Sequence, residues 1–325
     1  MFCSVALLVA ALFFAVCSDA LAQQPGRIYR IGFLDNSNAS GIAVLSGMFR
    51  HELRNLGWIE GKNITIEYRF SEHKTERLAA LAADLVRSKV DLIVTTGAPT
   101  AKQAKIATST IPIVVANTAD PVNEGIVVSL ARPGGNITGF SSLGPELNSK
   151  RLDILKETIP KLARVGLLRA RGGASPQLDQ IRPAALTLNL KLEEIQTQFH
   201  AKGLQDAFIT AKRKQVGAIT TISSRQFFAE RKRIVDLATK YRLPGIYFQK
   251  EFVDEGGLMS YGADFTDLFR RAAHYVDKIL KGAKPGDLPV QQATKFEFII
   301  NLKTAEQIRL TIPVRVLERA NQVIR

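Results

Sequence analysis

The residues best suited to chemistry in this chain are polar groups that stand directly after apolar runs. In the first half they are Asp35-Asn36-Ser37, Thr96-Gly97-Ala98-Pro99-Thr100, Asn117 to Asp120, and Ser141-Ser142. In the second half they are Arg169 to Gly173, Ser223-Ser224-Arg225, Phe248-Gln249, and Tyr261 to Asp264. Where such a group opens a helix, the free N–H groups of the first turn and the helix dipole favour an anion or a carboxylate. Gly97, Ala98 and Pro99 leave one of these turns bare, so that a ligand can touch its backbone. Pro99 suits a first helical position, where the missing N–H costs nothing. Each position also has a plainer role. Thr96, Asp120 and Asp264 read equally as helix N-caps, and Arg171 as a surface charge. The joint pattern is more telling than its parts, because both halves place polar groups at matching strand ends. That suits a cleft between two lobes.

Catalytic constellations are not evident among these groups. The chain has no G-x-S-x-G elbow, no P-loop, and no G-x-G-x-x-G after a strand. His51, His73, His200 and His274 are scattered, and no pair has metal-ligand spacing. Cys3 and Cys17 both fall in the apolar start of the chain, so the remainder has no thiolate, disulfide or cysteine-held metal. The expectation is binding without turnover, with no cofactor and no metal.

Strands and helices must alternate to hold these polar ends in place. RIYRIGFLDN (27–36) reads as a buried strand, GIAVLSGMFRHELRNLG (41–57) as an amphipathic helix, and NITIEYRF (63–70) as a strand. TERLAALAADLVRSK (75–89) is helical, and VDLIVTTG (90–97) is a continuous apolar strand of the parallel-sheet kind. PTAKQAKIAT (99–108) and PVNEGIVVSLA (121–131) read as helices around the strand IPIVVAN (111–117). RVGLLRA, VGAITTISS, LPGIYF and LMSYGADF then repeat the character of four first-half strands in the same order. This is a duplicated α/β arrangement with parallel central sheets. The expected boundaries are a leader over 1–22, a first lobe over 27–142 completed by about 285–325, a second lobe over 143–265, and a connecting helix and linker over 266–284.

The leader is MFCSVALLVAALFFAVCSDALAQQ, an apolar run closed by Ala20-Leu21-Ala22. The run is short for a membrane span and carries an A-x-A cleavage site, so it reads as a signal peptide. Periplasmic location follows from that reading. Lipoprotein anchoring through Cys17 is the weaker alternative, because Val16 stands where a small residue is wanted. The net charge of +14 is dispersed over helix faces such as FRRAAHYVDKILKGAK (269–284). With no arginine-rich arm and no interleaved aromatic platform, nucleic-acid binding is not expected, and an anionic ligand fits the basic balance.

IGFLDN, LRNLGWIEGKNITIEYRF, LIVTTGAPTAKQAK, IPIVVANTADPVNEGIVVSLARPGGNITGFSS and the ending LPVQQATKFEFIINLKTAEQIRLTIPVRVLERANQVIR resemble the ABC-transporter substrate-binding protein family that includes tryptophan- and tyrosine-type binding proteins. The resemblance covers about 27–325. It implies a type I periplasmic-binding-protein fold of two Rossmann-like lobes joined by hinge crossovers, a ligand clamped between the lobes, no reaction, and delivery to a membrane permease driven by a separate ATPase. It also implies where to look for the ligand: Asn36, Thr96, Ala98, Thr100, Asp120 and Ser141 on the first lobe, and Ser223, Phe248, Tyr261 and Asp264 on the second. The chain departs from the family pattern at RARGGASPQ (169–177), where Arg171, Gly172 and Gly173 replace an asparagine-rich turn.

The expected ligand is a small amphipathic anion or zwitterion. Asp120 or Asp264 would meet an ammonium. The 97–100 turn, Ser141 and Arg171 would meet a carboxylate, and Phe248 and Tyr261 would stack on an apolar body. An amino acid, aromatic or branched, comes first and an organic carboxylate second. The expected carrier is a monomer. The alternatives are an exported α/β enzyme acting on a small carboxylate and the ligand-sensing domain of a signalling system.

Overall fold

The computed structural model describes residues 27–171 and 176–325. The expected leader, Cys17 and Gly172-Gly173 lie outside the described residues. The first sheet is built from Tyr29–Asp35 (β1), Ile64–Phe70 (β2), Leu92–Thr96 (β3), Ile113–Thr118 (β4) and Ile137–Ser141 (β5). Helices Ala39–Asn55 (α1), Leu78–Arg87 (α2) and Gly97–Ala107 (α3) lie between them. Every pairing in this sheet is parallel. Strands such as Leu92–Thr96 are buried from end to end, as a sheet covered by helices on both faces requires. PVNEGIVVSLA is not the expected helix but a run of turns. Gly125 at φ +71° and the following Pro133-Gly134-Gly135 hold it away from helical geometry.

The second sheet takes Arg164–Ala170 (β6), Lys191–Thr197 (β7), Ala218–Thr221 (β8), Gly245–Tyr247 (β9) and Met259–Ala263 (β10). Its helices are Gly144–Thr158 (α4), Pro176–Thr187 (α5), Ala201–Arg213 (α6), Arg225–Ala229 (α7), Arg231–Lys240 (α8) and Glu251–Asp254 (α9). The two sheets are separate, and the chain passes between them three times: after β5, after β10, and after the short strand Gln291–Gln292 (β11).

Two expected boundaries are corrected by these crossings. The tail does not complete the first lobe, apart from Gln291–Gln292, which pairs with Phe140 and Ser141. Phe296–Asn301 (β12) instead runs antiparallel to β10, with Tyr261 opposite Phe298, and Gln322–Ile324 (β13) extends that second sheet. The physical reason is the open edge of β10, whose N–H and C=O groups need a partner. β12 supplies one and buries Phe298, Ile299 and Ile300. The helix expected as a connector, Phe265–Leu280 (α10), is a layer of the first lobe. Its apolar stripe of Leu268, Phe269, Ala272, Ala273 and Val276 is fully buried, and it packs on α1 and β4. Polar pairs fix it there: Trp58 Nε1 donates to Asp277 at 2.9 Å, and Tyr275 Oη donates to Pro289 O at 2.6 Å.

Candidate functional site

A cavity of about 290 Å³ lies where the carboxyl ends of the two sheets face each other. This is where ligands sit in open α/β sheets. From the first lobe it is walled by Asn36, the turn Thr96 to Pro99, Lys102, Asn117 and Glu124. From the second lobe come Gln177, Ile222, the run Ser223 to Gln226, Phe248 and Gln249, and Phe265 closes one side.

The bare turn is built as its sequence suggests. Gly97 takes φ +76°, a region other residues reach only at a cost. Thr96 makes no side-chain cap to α3. Its hydroxyl donates to Asp35, so the helix N-terminus is left open to the cavity. Thr100 stiffens the turn from below: its Oγ1 donates to Thr96 O at 2.6 Å and accepts from Thr96 N at 3.1 Å. A register shift between β3 and β4 after Thr95 brings Asn117 opposite Thr96, so both reach the cavity from neighbouring strands.

Arg225 crosses from the second lobe to the first. Its Nε donates to Asp35 Oδ2 at 3.3 Å, and its Nη2 donates to Gly41 O at 3.0 Å. Asp35 is fully buried and also accepts from Ser37 N at 2.6 Å and from the Ser37 and Thr96 hydroxyls. The Arg225 guanidinium rests on the Phe228 ring, 4.6 Å from its centre. Burial lowers its pKa and the Asp35 carboxylate opposes that; arginine stays charged in any case. Nη1 of Arg225 is buried with no hydrogen-bond partner among the described residues. Beside it, Gln226 Nε2 donates across the lobes to His73 O at 3.2 Å.

The first-lobe wall carries an acid. Glu124 Oε2 accepts from the Thr118 hydroxyl. Desolvation raises its pKa above the usual carboxylate range, against the pull of that hydrogen bond and of Lys102. On the second-lobe wall Gln177 is held rigidly. Its Oε1 accepts from Asn148 Nδ2 at 3.2 Å and from Ser223 N at 3.1 Å, and its Nε2 donates to Ser223 O at 3.1 Å. Asn148 is itself gripped by Arg151, whose other arm donates to Tyr261 O at 2.8 Å. Arg151 is 1% exposed, and burial brings its pKa down to about 9, so it remains a cation at neutral pH.

Of the residues singled out in the sequence, Asn36, Thr96, Ala98, Ser223 and Phe248 line the cavity. Thr100 lies beneath it. Ser141 is buried behind it, donating to Ala119 O at 3.2 Å, and Ser142 is the lining residue instead. Asp120 is a cap: its carboxylate accepts from Asn123 N at 3.1 Å and from Asn123 Nδ2 at 2.6 Å. Asp264 caps α10 by accepting from Asp267 N at 2.9 Å, and the next residue, Phe265, faces the cavity. Tyr261 offers its carbonyl to Arg151 and packs its ring on Phe298. Arg171 is exposed and stands off the cavity, with its N–H donating to Thr197 O at 3.0 Å. Arg225, Gln249 and Asn117 were visible only as members of polar strand ends. Glu124 carried no signal, being an ordinary polar residue of a helix-like stretch, and Gln177 stood only as the last residue of the segment that departs from the family pattern.

No group of three His, Cys, Asp or Glu among the described residues can hold a metal, and no helix among them is long and apolar enough to cross a membrane. The chain is similar to a tyrosine-binding protein of Clostridioides difficile (strain R20291), with 26% identity over 80% of this chain and 75% of that protein. It superposes on the crystal structure of a conserved domain protein from Vibrio cholerae with a TM-score of 0.84 and 26% identity, over 91% of this chain and 99% of the other. A Streptococcus pneumonia ABC domain solved in complex with L-Trp gives a TM-score of 0.82 and 26% identity over the same shares. The family model described as ABC transporter substrate binding protein matches residues 38–324. With two type I lobes, an interlobe cavity and a match over nearly the whole chain, the protein belongs to the ABC transporter substrate-binding protein family.

Proposed function

We propose that this protein is an exported carrier that captures an α-amino acid with an aromatic or large apolar side chain and hands it to an ABC permease. The observation that carries the reading is the charge layout of the cavity. A buried guanidinium nitrogen of Arg225 on one lobe suits a carboxylate, and Glu124 on the other suits an ammonium. Ile222, Phe248 and Phe265 offer an apolar surface for a flat body. The tyrosine and L-Trp named for two relatives fit the same layout. One chain encloses the whole cavity, which favours a monomeric carrier, and the apolar start with Ala20-Leu21-Ala22 favours export to the periplasm.

The test is isothermal titration of residues 23–325 with L-tryptophan, L-tyrosine, branched amino acids, the matching organic acids, and sugars. Saturable binding of an amino acid, with the ligand recovered unchanged, is expected. Binding of sugars alone, or conversion of the ligand, overturns the reading.

A further inference from the structure

Gln249 is buried to 2% exposure at the carboxyl end of β9, and it lines the cavity. Neither Oε1 nor Nε2 has a hydrogen-bond partner among the described residues. A buried amide with both ends unpaired costs stability, and native structures keep such groups for a reason. Its place gives one. β8 and β9 are neighbouring parallel strands, with Thr220 opposite Ile246. Their ends therefore deliver Arg225 and Gln249 to the same wall. Both residues line the cavity there, and the unpaired Arg225 Nη1 and the unpaired Gln249 amide are buried in its wall.

We infer that Gln249 is a specificity-determining residue that reads the α-relationship of ammonium and carboxylate; this rests on the amino-acid reading above. A primary amide presents a donor and an acceptor side by side. In an α-amino acid the ammonium and carboxylate stand on one carbon, at matching separation. Nε2–H donates to the carboxylate that Arg225 also holds, and Oε1 accepts from the ammonium. A carboxylate without the amine satisfies only half of this amide, and a longer amino acid places its ammonium out of reach.

The experiment is titration calorimetry of native protein and Gln249→Met with L-tryptophan, L-tyrosine and their deaminated acids, together with ligand-free melting curves. Charge-assisted hydrogen bonds of this kind are worth about 10- to 100-fold in affinity. Native protein is expected to prefer each amino acid over its deaminated acid by at least about 10-fold. In Gln249→Met that preference shrinks several-fold, while ligand-free melting is unchanged or raised, since a buried unpaired amide has become a thioether. An unchanged amino-acid preference in the variant overturns the assignment, as does a large drop in ligand-free melting, which marks a structural amide. If the variant does not fold, a native protein that binds both ligand classes equally overturns it too. Native protein that binds none of these ligands, nor the branched amino acids titrated alongside them, overturns the amino-acid reading itself, and the assignment with it.

Discussion

Arg225 Nε lies 3.3 Å from Asp35 Oδ2, although the two residues are 190 positions apart and belong to different lobes. The contact spans the cleft, so separating the lobes would break it. Asp35 keeps the Ser37 and Thr96 donors without it, so opening the cleft leaves the carboxylate hydrogen-bonded and returns the guanidinium to water. In Arg225→Met the closed state loses an interlobe ion pair and the second-lobe wall of the cavity loses its cation. Ligand affinity is expected to fall about 100-fold or more, as for truncated buried charge pairs. Small-angle scattering with saturating ligand should then show the extended particle, where native protein compacts.

Glu124 is expected to contribute in opposite senses to the pH dependence of ligand-free stability and of ligand affinity. Its native pKa is raised by burial, so the folded chain holds this proton where the unfolded chain has released it. That stability is fully present below the ordinary carboxylate range and is lost as pH rises through the raised value. Affinity for an ammonium rises over the same window, because the carboxylate form is the better partner. In Glu124→Gln both differences vanish, and affinity at neutral pH drops about 10-fold. Melting curves and calorimetry between about pH 4 and pH 7 read both slopes.

Gly262 backs onto the exit of β9. A Cβ built there would stand 1.9 Å from Phe248 O. No rotamer relieves a clash with backbone, so Gly262→Ala must push Phe248 and Gln249 aside. A loss of about 2–3 kcal/mol in unfolding free energy and weaker ligand binding are expected. Gly47 on the exposed side of α1 has nothing within 4 Å, and Gly47→Ala should stabilise by about 0.5–1 kcal/mol with affinity unchanged. Denaturant titration separates the two.

Arg151 sits at the far end of the chain of hydrogen bonds that fixes Gln177. In Arg151→Ala, Tyr261 O and Asn148 Oδ1 lose their donor and a cavity opens in a dense region. A destabilisation of roughly 3 kcal/mol or more is expected in urea unfolding.

The sequence was sufficient for the two-lobed α/β plan because continuous apolar strands, amphipathic helices and glycine stops are local signals. It also placed polar residues at strand ends, and Asn36, Thr96, Ala98, Ser223 and Phe248 do face the cavity. It could not separate ligand-facing groups from caps of the same chemistry. Asp120 and Asp264 satisfy backbone N–H groups of their own turns, and only coordinates show which carboxylates are so occupied. The helix expected over 121–131 failed because the positive φ at Gly125 and the following Pro133-Gly134-Gly135 outweighed a short apolar run.

Tertiary structure alone decided the sheet in which the tail is found and the residues on which the cavity depends. β12 is a short apolar run that suits a strand of either lobe, and the open edge of β10 chose the second. Arg225 and Asp35 are an ordinary cation and an ordinary strand-end acid in the sequence. Their pairing depends on how two separately folded sheets face each other, and a contact of that range leaves no trace in local composition or period. The sequence thus determined the lobes and the kind of groups at their rims. The closure of one lobe on the other determined which of those groups lose water and face a ligand, because desolvation and hydrogen-bond pairing are properties of the assembled cleft.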